Sequence, residues 1–431
     1  MIITLLGYVC ILLTVFFLYK RKPEYFLYSS IFFCGWTGAS IVNVGDFPIQ
    51  PSFYFFIIYF LLSFRFTVKK VGIPILLSIF MIYCGITLIF PLLLQNNNIE
   101  IMMQNGEYGY LKFSISNISQ YAYLILDFLF LRALLKNKNN EIINNNIIKW
   151  YKFGFYSVIA ICIYQILAFE LDLPFDVLFR QSPHGNVQGN RIYGPTIEAS
   201  MLCYYLVPSI FFMILLKPTK YEWIAVTLGM VLGLYSFSST FLMGIIFMLI
   251  ACIVLAFVNN TKFTFLSKKR RTVSLMAIGA GAVAAVAVVF LGFGYMLDFA
   301  ENLLDKLNGK NISGSERIEA FETMSNIGLH YPTGVGFGSS RSKDLLSTWL
   351  CNIGVLGLAL FIAFVISYIV RGYKYKRLAM TIPFVIIVLL MLMSVPEPYN
   401  FFVWFFVYIG LVPNKKEIKE DTEEENEMVI E

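Results

Sequence analysis

YMLDFAENLLDKLNGKNISGSERIEAFETMSNIGLHYPTGVGFGSSRSK, residues 295–343, lies between two long apolar runs, residues 273–294 and 344–370. The chain around it is composed for lipid. Of its 431 residues 58% are hydrophobic and 14% are charged, whereas a soluble domain carries about 25% charged residues. Apolar runs recur from end to end, and a run of about 20 residues crosses the hydrocarbon core as a helix. Long segments of period-2 alternation, the mark of a membrane barrel, are missing. The expected class is an all-α polytopic integral membrane protein. A polar loop kept by such a chain is where chemistry is expected.

Charge orients the loop. Lys268-Lys269-Arg270-Arg271 precedes it and RGYKYKR, residues 371–377, follows it. Connections on the cytoplasmic side are the ones enriched in Lys and Arg, so the loop is expected outside. At the N-terminus the apolar run 2–19 comes before its charges, Lys20-Arg21-Lys22. That is the reverse of a cleavable signal, and it reads as a first span with its N-terminus outside. Following the apolar runs onward gives about 13 spans, among them 26–44, 71–94 and a short last one at 401–412. Residues 1–412 then form one transmembrane domain with outer loops 95–117, 170–197 and 295–343. The charged tail 413–431 is expected to be cytoplasmic and disordered. Of 33 Lys and Arg, only Lys112, Arg180, Arg191, Lys306, Lys310, Arg317, Arg341 and Lys343 fall outside in this arrangement. The net charge of +6 sits mostly in short inner connections and is not a nucleic-acid signal. The seven cysteines are scattered singly through apolar runs, with neither disulfide nor zinc spacing. Asp46 stands alone in an early outer turn, so no metal and no cofactor are expected.

Four outer basic residues are arginines: Arg180, Arg191, Arg317 and Arg341. Against the inner bias each of them needs a reason. Arginine presents a planar fork that matches phosphate bidentately and stays charged, so two or three converging would hold a diphosphate. A snorkelling or salt-bridged loop arginine is the plainer reading. Arg191-Ile192-Tyr193-Gly194-Pro195 turns the chain, and Glu198 then stands in the first turn of a span. There it complements the helix dipole, or serves as a base or an anchor for a sugar hydroxyl. Tyr193 in that turn is a candidate substrate contact.

Ser313-Gly314-Ser315-Glu316-Arg317 reads as a helix start. Ile318, Phe321, Met324 and Ile327 recur at helical spacing, so residues 316–329 are expected to form an amphipathic outer helix. His330 ends it, as a cap or as a base. In Gly334-Val335-Gly336-Phe337-Gly338, Gly336 and Gly338 let backbone approach a ligand closely.

These stretches carry a resemblance. Arg317 at a helix start, then Gly334-Val335-Gly336-Phe337-Gly338-Ser339-Ser340 before a span containing Ile353-Gly354-Val355-Leu356-Gly357, resembles the bacterial O-antigen and capsule repeat-unit polymerases, the Wzy family. The O-antigen ligases are more distant. Residues 191–200, with arginine, Gly194 and Glu198 ahead of a span, are similar to an earlier motif of those polymerases. The resemblance implies a glycosyltransferase of the bacterial inner membrane. Its donor and acceptor would be oligosaccharide repeats on undecaprenyl diphosphate, joined without a metal and with diphosphate as leaving group. It also implies company from a chain-length regulator and a flippase, and no nucleic acid. Arg191, Arg317 and Glu198 would carry the chemistry. Arg341, Arg180, Tyr193, His330, Gly336 and Gly338 would line the substrate. Ligases carry a histidine at the start of the span after the long loop, whereas here that stretch is Arg341-Ser342-Lys343-Asp344-Leu345. A lipid-linked oligosaccharide flippase would have short loops on both sides and charges within the bundle.

Overall fold

The computed structural model describes residues 2–44, 47–63, 72–103, 106–175, 191–260 and 312–412. The expected span 273–294, the basic stretch 268–271, Arg180, the first part of the long loop and the tail lie outside the described residues. What is described is mostly helix. Four helical stretches are long and apolar enough to cross a membrane: Ile75–Asn97, Ile115–Lys136, Glu141–Glu170 and Leu345–Lys374. Large apolar side chains stand on the outside of the molecule. On α1 (Leu5–Tyr19), Leu12 is 70% exposed and Val15 61%. An outward apolar surface is costly in water and free of cost in lipid.

Two expected spans are not continuous helices. The 26–44 run folds as α2 (Glu24–Phe32), a 3-10 turn (Phe33–Gly35), and a strand, β2 (Val42–Val44). This strand lies between β1 (Ile2–Ile3) and β3 (Phe47–Ile49) in an antiparallel sheet. The break has a local cause. A Cβ on Gly35 would lie 2.6 Å from the Tyr205 ring, and the Gly38 N–H leaves the helix to donate to Pro195 O at 2.9 Å. Apolar composition gave no sign of it, because the β-branched run Ile41-Val42 is as hydrophobic as a helix segment. The 71–94 run is likewise divided into α4 (Ile75–Thr87) and α5 (Phe90–Leu94), with Pro91 at the start of the second piece; proline is tolerated there and not mid-helix. Between α4 and α5 on one side and α6 (Ile115–Lys136) on the other, β4 (Glu100–Met102) and β5 (Tyr108–Tyr110) pair as a small hairpin. α3 (Pro51–Ser63) follows β3.

The second half is a bundle: α7 (Glu141–Glu170), α8 (Ala199–Leu215), α9 (Lys220–Tyr235), α10 (Ser239–Asn260), α11 (Ile312–His330), α12 (Leu345–Lys374), α13 (Leu378–Met393) and α14 (Phe401–Leu411). The start of α9 is fixed by a capping box between Thr219 and Glu222. Lys152 on α7 reaches Glu222 at 2.6 Å and holds its carboxyl down at about 2.

α14 is the axis. Its 11 residues, FFVWFFVYIGL, are all buried. At about 1.5 Å per residue it is about 16 Å long, too short to cross a bilayer alone. A helix hydrophobic all round is surrounded by protein rather than lying at a surface. Phe401 stacks on Phe130 of α6 at 4.2 Å and Phe405 stacks on Tyr151 of α7 at 4.0 Å. Offset or stacked aromatic pairs add about 0.5–1.5 kcal/mol each beyond their burial. The turn that leads into α14, residues 394–400, is thereby anchored at the middle of one end of the bundle.

α11 is the helix expected over residues 316–329, one turn longer at its start than the spacing suggested. Its buried face is not quite the expected one. Ala320 and Met324 pack with Ile101, Met102, Leu111, Val335 and Cys351, and Ile327 joins them. Ile318 and Phe321 are exposed. A Cβ on Gly328 would lie 2.2 Å from Leu350 O, so glycine is what lets α11 cross α12 backbone to backbone.

Candidate functional site

The segments that sequence reading placed outside are bonded to one another at one end of the bundle. The chain between α11 and α12 is held by two buried asparagines. Asn117, in the first turn of α6, donates Nδ2 to Phe337 O at 2.8 Å and to Ser339 Oγ at 2.9 Å. Asn352, within α12, donates Nδ2 to Ser340 O and accepts from Ser340 N, both at 2.8 Å. The backbone adds Val335 N to Cys351 O at 2.8 Å, Gly336 N to Asn352 O at 2.9 Å and Arg341 N to Met102 O at 3.1 Å. Gly336 has φ +125° and Gly338 φ +74°. A Cβ on Gly336 would lie 2.3 Å from Pro91, and one on Gly338 3.0 Å from Asn117 Cα. Both glycines are buried. The close approach expected toward a substrate is spent on the protein's own helices: these glycines shape the loop and do not face a ligand.

Arg191 lies just before α8, at this same end. Its Nε donates to Ser236 O at 3.1 Å and its Nη2 to Phe237 O at 2.9 Å, across the turn between α9 and α10. Among the described residues, those two bonds leave three guanidinium N–H groups unused. The local turn is set by Gln165 on α7, whose Oε1 accepts from Tyr193 N at 3.0 Å and Gly194 N at 2.7 Å. Tyr193 itself is buried, with its ring 5.8 Å from that of Phe175, which makes it a packing side chain rather than a substrate contact. Glu198 is the N-cap residue of α8, yet its side chain makes no capping bond. Its carboxylate is exposed and accepts from Ser200 Oγ.

Arg317 is on the first turns of α11, within electrostatic reach of Asp344, the N-cap of α12. Asp344 accepts from Ser347 N at 2.8 Å and Ser347 Oγ at 2.7 Å. Arg317 Nε is buried with no hydrogen-bond partner among the described residues. A buried charged donor without a partner is costly. His330 is exposed at the end of α11, edge-on to Tyr331 at 4.9 Å, and no bond ties it to the arginines among the described residues.

Arg341 is paired to a residue that sequence reading passed over. Its Nη2 donates to the carboxylate of Glu397, in the 394–400 turn. The Arg341 side chain is 44% exposed and the Glu397 side chain 19%. Burial pushes the Glu397 carboxyl above the usual carboxylate range; Arg341 opposes the shift and Glu198 adds to it. Glu397 is therefore the point where the Arg341 loop and the start of α8 meet. The same turn is bonded outward in three more directions. Thr240 Oγ1 lies 2.8 Å from Ser394 Oγ, Tyr204 OH donates to Glu397 O at 3.1 Å, and Tyr399 OH donates to Gln120 Oε1 at 2.9 Å. One signal in the sequence could have pointed here: a lone carboxylate bracketed by Pro396 and Pro398. Asn352 has a signal as well, being a polar residue inside an apolar run.

The whole arrangement sets Arg191, Arg341 and two carboxylates on connecting segments and Arg317 on the start of α11, held by a rigid scaffold. Arginine forks suit phosphate oxygens, and a half-buried carboxylate suits proton transfer. The chain matches no protein family, no characterised protein and no solved structure.

Proposed function

We propose that this chain polymerises oligosaccharide repeats carried on undecaprenyl diphosphate, at the outer face of a bacterial inner membrane. In this reading it crosses the bilayer about 13 times, with its N-terminus outside and its C-terminus in the cytoplasm. The observation that carries the reading is the meeting of Arg341, Glu198 and Glu397 at one end of an apolar bundle, with Arg317 beside the same loop and Arg191 held on the α9–α10 turn seven residues before Glu198. Glycosyl transfer from a lipid diphosphate needs two things. The diphosphate gains charge as the anomeric C–O bond breaks, and preorganised cations stabilise that charge more in the transition state than in the ground state. The acceptor hydroxyl must also lose its proton. Arg191 with three spare donors, Arg317 with a buried unpaired Nε, and Arg341 suit the first need. The carboxylates suit the second.

The test is the banding of surface polysaccharide on a gel from a strain lacking the gene. A polymerase mutant shows a single repeat on its carrier. Absence of any glycan on the lipid core would instead indicate a ligase, and repeats accumulating inside the cell a flippase.

A further inference from the structure

Resting on that reading of the site, we propose that Glu397 is the base that takes the acceptor's proton, and that its ion pair with Arg341 keeps it inactive until the donor diphosphate draws Arg341 away.

The first ground is support. Glu198 stands on the surface, and among the described residues its carboxylate bonds only a neighbouring serine. Glu397 is set between two prolines, and its backbone is held at both ends. Its N–H donates to Val395 O at 2.8 Å, and its carbonyl accepts from Tyr204 OH at 3.1 Å and Asn400 Nδ2 at 3.2 Å. Trp404 Nε1 pins the next residue through Pro398 O at 3.1 Å. Below the turn lies the fully buried α14. Proton transfer is effective from a group fixed in place by its surroundings.

The second ground is electrostatic. The charged and titratable groups facing Glu397 are Arg341 from the loop before α12, Glu198 from the start of α8, Tyr204 on α8 and Tyr399 in its own turn. Asp127 on α6 lies beyond, facing Tyr204 and Tyr399. Among the described residues, Arg341 is thus the one cation against a half-buried carboxylate with a second carboxylate nearby. While paired, Glu397 is a weak base. A diphosphate offers the guanidinium a bidentate partner of higher charge. Once Arg341 turns to it, burial and Glu198 act on Glu397 unopposed, and its proton affinity rises. The base is strengthened only when the leaving group is in place.

The step balances. Glu397 carboxylate takes the proton of the acceptor hydroxyl as that oxygen bonds to the anomeric carbon. The bond from the anomeric carbon to the diphosphate oxygen breaks, and its electron pair leaves with undecaprenyl diphosphate, whose charge Arg341 and its companions meet.

The experiment uses the full chain in detergent or liposomes, with lipid-diphosphate-linked repeats as donor and acceptor and free undecaprenyl diphosphate as binding probe. If the folded wild-type protein binds the probe but extends no repeat, the polymerase reading fails and the base is not in question. Given extension by the wild type, Glu397→Gln should lower turnover by about 10²–10⁴, with binding of undecaprenyl diphosphate kept. Glu397→Asp should recover part of the rate. A carboxylate base works only when deprotonated, so the rate of the wild type falls as pH drops through its pKa in the free enzyme. That acid limb should vanish in Glu397→Gln. It should move to higher pH in Arg341→Ala, where the opposing cation is gone, and to lower pH in Glu198→Gln. Turnover of Glu397→Gln within about threefold of wild type overturns the proposal, since general-base loss costs at least about 10². An acid limb that survives in Glu397→Gln and disappears in Glu198→Gln overturns it too and makes Glu198 the base. A Glu397→Gln protein that does not bind the probe is read through Glu397→Asp: if that variant binds as wild type does and its acid limb is unmoved, the proposal falls.

Discussion

Substituting alanine at Gly354 tests whether the loop that carries Arg341 is held by backbone contact with α12. Gly354 interrupts α12 at φ +66°, ψ −174°, a region open essentially to glycine alone. A Cβ there would lie 2.1 Å from Pro332 O and 2.4 Å from Gly334 N. An unstrained carbon–oxygen contact is about 3.3 Å, so the 332–334 backbone must retreat by about 1 Å. Three backbone bonds cross this contact: Val335 N to Cys351 O, Gly336 N to Asn352 O, and Leu356 N to Pro332 O. Each is worth about 1 kcal/mol net, and the backbone strain adds about 1–3 kcal/mol. With the bonds weakened rather than lost, the cost is about 3–5 kcal/mol, at the high end for a single substitution. Gly106 supplies the comparison. It too has a positive φ, +84°, but nothing lies within 4 Å of its Cβ position. Gly106→Ala therefore carries strain without a clash, about 1–2 kcal/mol. The assay is the thermal midpoint of the detergent-purified protein, with chain extension measured alongside. Gly354→Ala should melt well below Gly106→Ala. It should also lose about 10² in rate, because a 1 Å misplacement of positioning groups costs that much. Equal midpoints for the two variants would refute the argument that the loop is seated on α12 through Gly354.

Arg317→Lys should recover little of the activity lost in Arg317→Ala, because lysine keeps the charge and loses the fork; full activity in the lysine variant, at unchanged membrane level, would show that a point charge suffices. In the reconstituted extension assay, Arg191→Ala with Arg317→Ala should be little worse than the worse single variant, since groups acting on one diphosphate are strongly non-additive. Multiplicative losses would assign the two arginines to different lipids. Asp127 is buried on α6 with both carboxylate oxygens unbonded among the described residues, and the Trp404 Nε1 that faces it is donated to Pro398 O. Asp127→Leu should raise the thermal midpoint, by the equivalent of about 1–3 kcal/mol for the unmet polar group; a fall would reveal a partner for that carboxylate. Glu222 is held down to about 2 by Lys152, so the stability it contributes is present above the ordinary glutamate range and is lost as pH falls toward 2. The acid melting of Glu222→Gln should lack that component, and identical acid limbs for variant and wild type would count against the pair.

Composition and apolar run length settled the class, because lipid requires nearly continuous hydrophobicity and a helix is the local way to satisfy the backbone inside it. They also found the helix α11, since it starts at a serine- and glycine-rich stretch and its apolar residues repeat at helical spacing. Arg191 and Arg341 stood out because arginine against the positive-inside bias is visible in one dimension. What run length could not see was interruption. The 26–44 and 71–94 runs are hydrophobic throughout, yet one bends at Gly35 against Tyr205 and the other at Pro91 beneath Gly336. Nor could it see that residues 401–411, expected as a short last span, are a fully buried central helix, because burial among the rings of α3, α6, α7 and α8 and burial in lipid demand the same side chains. Gly336 and Gly338 invited a ligand in the sequence and met Pro91 of α5 and Asn117 of α6 in the structure. The partner of Glu397 was invisible, although Pro396 and Pro398 mark its turn. A carboxylate in a short turn says nothing by itself about what lies opposite. Arg341 is 56 residues away in the chain, and only the packing of α14 at the bundle axis brings that turn under the loop. Hydrophobic matching acts along the chain and is legible there. The pairing of two charges depends on which helices pack side by side, which is decided by the fit of Phe401, Phe405 and Trp404 against α6, α7 and the turn above them.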